Sequence, residues 1–322
     1  MHPQLSFRRV ALLFAVYVLS VILGSAASPL EKRVSRTTPP SGAVYHPGCG
    51  QPLPNDSSAR VIFIYPGTYS EQVSITRTGM LTIYGSTTDS TSYASNTVTI
   101  THSESAAQAG SDDPSGTLQV HKDNFALYNV NVKNTVALAL SAYGTNQGYY
   151  GVHTLLAETG NQFYGVCYIE GAADFIWGQH ARAWFQRSVI ASTAAGSVTA
   201  DGPSDASDDS IFVINKSSLI VSSAETSSLT GQVYLGRPWT EFARVVYTSC
   251  TLGAHINPAG WSIWSTATPN TADVLFAEFG STGAGASETR ASFSQKLTSN
   301  TGYMAADILG STWTSWVDTT YV

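Results

Sequence analysis

Asp174 is the only charge in the apolar run Gly171-Ala172-Ala173-Asp174-Phe175-Ile176-Trp177-Gly178. A carboxylate in such company is costly to bury unless something pairs with it. Two roles satisfy that constraint. Asp174 either marks a turn beside a strand, or it is held ionised by a partner for chemistry. The segment Tyr234-Leu235-Gly236-Arg237-Pro238-Trp239 supplies such a partner. Arg237, between a glycine and a proline, gives a fixed guanidinium that can pair a carboxylate through two parallel N–H donors. Trp239 places a flat apolar face beside it, as stacking on a sugar ring requires.

The elements that must position these residues are short. β-branched and aromatic runs over residues 61–65, 80–84, 97–101, 126–132, 163–169, 183–190, 211–221 and 245–252 are bounded by Gly, Pro, Asn and Ser, and read as strands. Three of them share a pattern of apolar residues, a polar bend and a further apolar residue: Trp184 to Ile190, Val213 to Leu219 and Val246 to Leu252. A recurrence of about 30 residues is the mark of stacked β coils. The chain is therefore expected to be all-β, a single-stranded right-handed parallel β-helix, with a β-sandwich as the alternative. The tail over residues 305–322 is expected to begin as a helix and to pack as a cap.

The N-terminus sets the compartment. Arg8 and Arg9 precede an uncharged apolar stretch from Val10 to Gly24, and Ser25-Ala26-Ala27 offers small residues for cleavage. Residues 1–27 thus read as a secretory signal peptide, 28–35 as a short propeptide or linker containing the dibasic Lys32-Arg33, and 36–322 as the β-helix domain. The apolar stretch is shorter than the roughly 20 residues of a spanning helix, so no membrane partner is expected. Asn55 and Asn215 head glycosylation sequons. With 16 Lys and Arg in 322 residues and a net charge of −6, nothing points to nucleic acid. Three cysteines, Cys49, Cys167 and Cys250, allow at most one disulfide. Their spacing and that of the seven histidines match no metal site, so no metal or cofactor is expected, and the secreted chain is expected to be a monomer. Asp112-Asp113 and Asp208-Asp209 are acidic pairs that read more simply as turns than as a calcium site. The Gly-x-Ser-x-Gly elbow of serine esterases is absent.

Several motifs in order resemble the pectin methylesterases in their fungal secreted form. They are Gly67-Thr68-Tyr69-Ser70-Glu71, Leu155-Leu156-Ala157-Glu158-Thr159-Gly160-Asn161-Gln162, the Asp174 segment, Gly178 to Phe185, Leu235 to Trp239, Asn257-Pro258-Ala259-Gly260-Trp261 and Thr282-Gly283-Ala284-Gly285. The resemblance covers residue 36 to the C-terminus. It implies a parallel β-helix that hydrolyses the methyl esters of galacturonate in pectin, without a metal. It places the nucleophile on Asp174, its pairing arginine on Arg237, a sugar-stacking residue on Trp239 and a substrate contact on Thr117. A carboxylate so aimed can attack an ester carbonyl, but the oxyanion then needs donors and the leaving methoxide a proton.

The chain departs from the family at those last two functions. Val136 and Val152 stand where the family has glutamines, His153 where it has an aspartate, and Thr199-Ala200-Asp201-Gly202 runs into Pro203 where the family has Gly-Arg. Residues beside the first two motifs are missing. Three readings fit: a transcript whose sequence across residues 130–156 restores the segments, a homologue that binds pectin or another wall polymer without turning it over, or an esterase with a rearranged site in which His153 serves as acid and base. The pKa of an unperturbed imidazole, about 6.5, would suit that last role.

Overall fold

The computed structural model describes residues 35–45, 56–286 and 289–322, and leaves out the side chains of residues 44–45 and 152–153. The expected signal peptide, the pair Lys32-Arg33, Cys49 and Asn55 lie outside the described residues. Within them the β-branched runs form 23 short strands joined by parallel pairing. Each turn of the chain visits three walls. The first stacks Arg60–Ile64, Leu81–Gly85, Phe125–Asn134, Gln147–His153, Leu155–Gly165, His180–Gln186, Ile211–Asn215, Arg244–Thr248 and Leu275–Phe279. The second runs from Gly67–Ser70 and Val98–His102 to Tyr168–Gly171, Val189–Ser192 and Ser218–Val221. The third stacks Val73–Ile75, Leu118–His121, Leu140–Tyr143, the start of Leu155–Gly165, Ile176–Gly178, Gly196–Asp201 and Val233–Pro238. This is a parallel β-helix, coiled right-handed as parallel crossovers almost always are.

The recurrence read in the sequence is the coil itself: Trp184 pairs with Val213 and Val213 with Val246. The runs 163–169, 183–190, 211–221 and 245–252 were each expected as one strand. Each is two, broken at a corner where Val166, Arg187, Lys216 and Ser249 adopt left-handed φ values of 54, 50, 49 and 54°. A non-glycine residue there costs on the order of 1–2 kcal/mol. Hydrogen bonds between coils offset it, since the Val166 N–H donates to the Gln186 carbonyl at 2.8 Å and the Lys216 N–H to the Thr248 carbonyl at 2.9 Å. The sequon residue Asn215 belongs to the same ladder: its Nδ2 donates to Gln186 Oε1 at 2.8 Å and its Oδ1 accepts from Thr248 Oγ1 at 2.7 Å.

Alternate side chains fill the coil interior. Tyr149, Tyr164 and Phe185 stack up its axis with ring centroids 5.1 and 4.7 Å apart. Cys167 and Cys250 are free thiols in this core, pushed up to about 12 by burial. The outer face of the first wall is apolar too, with Tyr128, Tyr150, Phe163, Trp184 and Val213, and the C-terminal segment seals it. The tail does begin with a helix, Ala305–Leu309, but it straps this side face rather than capping an end. Arg182 Nε donates to the Ile308 carbonyl at 2.6 Å, and the Tyr321 hydroxyl to the Ser90 carbonyl at 3.0 Å. No helix of the described residues is long and apolar enough to cross a membrane.

Candidate active site

Asp174 stands at the corner leading into Ile176–Gly178 on the third wall. Its φ of 55° is left-handed, a conformation Asp tolerates better than most residues. The Asp174 N–H donates to the Ser197 carbonyl of the next coil at 2.6 Å, which fixes the corner. Gly171 is required just before it, because a Cβ there would lie 2.3 Å from Phe175 Cβ. The lone charge of the apolar run is therefore a turn residue and a paired one at once, and the two roles weighed in the sequence coincide.

The register brings Arg237 to it. Ile176 pairs with Thr199 and Thr199 with Gly236, so Arg237 lies two coils above Asp174 although 63 residues separate them in sequence. Arg237 Nε donates to both carboxylate oxygens at 3.0 and 3.1 Å, and Nη2 to Oδ2 at 2.5 Å. The remaining donors are held as well: Nη1 reaches the Trp264 carbonyl at 3.3 Å, and the guanidinium carbon sits 4.3 Å from the Trp264 ring centroid. The hydrogen bonds that Arg237 donates to Asp174 raise its basicity, against a smaller opposing effect of burial. The Arg237 and Asp174 side chains are 31% and 21% exposed, so the pair is open to a ligand yet fixed from behind.

Trp239 follows at the end of the same strand and is half-buried rather than interior. Its N–H donates to the Asp201 carbonyl at 3.0 Å, and its own carbonyl accepts from Asn270 Nδ2 at 2.8 Å. Thr117 is fully buried, and its hydroxyl donates to the Lys133 carbonyl at 2.9 Å. Tyr149, Tyr150, Phe175 and Trp261 are likewise core residues, while Trp177 is half-buried on the active wall.

Of the altered positions, Val136 is exposed, with its N–H donating to Asn134 Oδ1 at 3.0 Å. The backbone of His153 pairs with Ile169 of the next coil, on the second-wall strand Tyr168–Gly171 that leads into the Asp174 corner. Glu158, on the strand flanking Ile176–Gly178, is a further titratable group on this wall; burial raises its carboxyl above the usual range, with His180 opposing. Among the described residues, no group of three His, Cys, Asp or Glu side chains could hold a metal.

Two residues escaped the sequence reading. Trp264 backs the guanidinium from a loop, and its only signal was its place three residues after Trp261 in an aromatic loop. Asp201 appeared only as an altered motif position. It is fully buried, its Oδ2 accepts from the Arg244 N–H at 2.6 Å, and its Oδ1 has no partner.

Comparison with known proteins finds relatives of nearly the whole chain. The pectinesterase family profile matches residues 51–306. A pectinesterase of Aspergillus aculeatus is 45% identical over 94% of this chain and 99% of its own length, and one of Aspergillus niger 44% over 95% and 99%. The crystal structure of an Aspergillus niger pectin methylesterase superposes with a TM-score of 0.83 at 36% identity, covering 89% of this chain and all of that one. A carrot pectin methylesterase, 23% identical and covering 89% of this chain and 98% of its own, shares the fold with a TM-score of 0.75. Near-full-length matches of this kind favour an esterase over a homologue that only binds. The chain belongs to the pectinesterase family.

Proposed function

We propose that the protein removes methyl esters from galacturonate residues of pectin and releases methanol. The observation that carries this reading is the two-pronged hold of Arg237 on Asp174 at the open wall of the coil. A carboxylate aimed by a bidentate guanidinium is a nucleophile whose lone pairs face one direction. One Asp174 oxygen adds to the ester carbonyl carbon, and the carbonyl electrons move to its oxygen. Collapse of that oxyanion expels methoxide, which takes up a proton and leaves as methanol. Water then attacks the resulting acyl-aspartate, frees the galacturonate carboxylate and restores Asp174. Trp239 stacks on a sugar of the polymer, a local contact that a chain of net charge −6 needs to hold a polyanion. We assign the proton transfer to His153, which stands where the family has its aspartate and whose backbone pairs with Ile169 on the strand that leads into the Asp174 corner.

Methanol release from methylated pectin tests this directly. Wild-type protein should turn over, and His153→Ala should slow the reaction about 10²-fold or more, the scale of lost general acid help. An unchanged rate in His153→Ala would remove that residue from the mechanism while leaving Asp174 in place. The signal over residues 1–27 goes with an extracellular enzyme. N-terminal sequencing of the protein from culture medium should begin at or after Ser28, and retention in the cell membrane would refute that part.

A further inference from the structure

We infer that Asp201 and Gly202 are positioning residues for Trp239, setting the height and tilt of the indole at the active wall. The inference rests on the reading of Trp239 as the sugar-stacking residue. Asp201 ends the strand Gly196–Asp201 and pairs with Pro238, immediately before Trp239. It then grips both ends of the following turn. Its backbone carbonyl accepts from the Trp239 N–H at 3.0 Å, and its side-chain Oδ2 accepts from the Arg244 N–H at 2.6 Å. The turn 239–244 is therefore closed by one residue, with Thr240 Oγ1 adding a bond to the Pro203 carbonyl at 2.7 Å. Gly202 supplies the other half. A Cβ on it would lie 2.8 Å from Trp239 Cβ and 3.1 Å from Trp239 Cγ, so the indole rests directly against a bare backbone.

The chemistry of the grip is unusual. Asp201 has no exposed surface, and Oδ1 has no hydrogen-bond partner. Arg244 faces it, but that guanidinium is turned toward the carbonyls of Ala206, Asp208 and Ser210, while the Asp208 carboxylate, itself bonded to His180, adds like charge. Desolvation therefore favours the neutral acid. A neutral carboxyl accepts one N–H as an amide oxygen would. Asparagine should therefore replace it, and alanine should not.

KM and kcat for methylated pectin, measured on Asp201→Ala, Asp201→Asn, Gly202→Ala and Trp239→Ala, test this. Asp201→Ala and Gly202→Ala should each raise KM about two- to tenfold, the range a displaced aromatic contact spans, with kcat within about twofold of wild type. Asp201→Asn should restore the wild-type KM, which a general loss of packing would not do. Should Asp201→Ala fail to fold, Gly202→Ala still decides, because the clash it creates meets a half-exposed side chain that can move outward. Wild-type KM in Gly202→Ala would overturn the inference. Should Trp239→Ala itself leave KM unchanged, the stacking role fails and the inference with it; a raised KM there beside wild-type values in the other variants would sink the positioning role alone.

Discussion

Two walls of the same coil carry opposite kinds of surface. On the first wall the outward residues Tyr128, Tyr150, Phe163 and Trp184 are nearly or wholly buried, because the C-terminal strap covers them. On the third wall the outward residues Trp177, Arg237 and Trp239, with Asp174 at the corner, remain half-exposed. Both walls have the same parallel pairing and the same alternation of side chains. What separates them is the partner each outward side chain finds. Rings find rings on the sealed wall: Tyr128 and Tyr150 stack at 4.4 Å, and Tyr150 meets Tyr321 at 4.4 Å. Charges find each other on the open wall. A β-helix can thus assign stability to one face and chemistry to another without changing its backbone.

If that division holds, a substitution on one wall should leave the other's readout untouched. The largest effect belongs to the open wall. Asp174→Asn should lower kcat by on the order of 10⁴–10⁶, as removal of a nucleophile does. Its melting temperature should stay close to wild type, because Asp174 is 21% exposed and an amide can still accept from Arg237. Methanol release at more than a hundredth of the wild-type rate would put the nucleophile elsewhere.

The sealed wall should answer with the opposite pattern. Phe163 is fully buried beneath the strap, 5.9 Å from the Tyr150 ring. Phe163→Ala should cost about 3–5 kcal/mol of stability, the usual penalty for such a cavity. Calorimetry or chemical denaturation reads that loss, and KM and kcat of the folded fraction should match wild type. A change in kcat would mean that the two walls are coupled through the coil. Between these extremes, Arg237→Lys should lower kcat about 10²-fold, because a single ammonium cannot reproduce three N–H contacts to one carboxylate. A rate equal to wild type would reduce Arg237 to a charge.

The wall that carries the chemistry was more legible in sequence than its corners. Asp174 and Arg237 announced themselves because a charge among apolar residues demands a partner, and each is the other's. The strand runs were visible from their β-branched content, and their recurrence gave the coil. The corners at Val166, Arg187, Lys216 and Ser249 were not visible, since residues as different as Val, Lys and Ser hold one conformation. Hydrogen bonds to the next coil select it, and no local signal does. Thr117 carries no local signal of its role either. A buried threonine whose hydroxyl caps a carbonyl has the same letter as one that contacts a ligand. Trp264 lay in a loop without a strand pattern, so nothing tied it to the guanidinium it supports.

The smallest expected effect tests whether the open wall carries its own stability cost. Asp201 lies behind Trp239, with one carboxyl oxygen unpartnered and burial raising its pKa well above the usual range. In the unfolded chain the same carboxyl ionises near its reference value of about 3.9. Between the two values the unfolded state has released a proton that the folded state still holds. The unfolded state then binds fewer protons, and stability falls as pH rises through that window. Below the unfolded value both states hold the proton, and this group contributes no pH dependence. Asp201→Asn removes the titration and keeps the acceptor for the Arg244 N–H. Its stability, measured by denaturant unfolding from pH 4 to pH 7, should decline less with pH than that of wild type, and at pH 7 it should equal or exceed wild type. Parallel stability curves for the two proteins would show that the Asp201 carboxyl is ionised inside the fold, with Arg244 compensating its charge. The open wall would then be no costlier to fold than the sealed one.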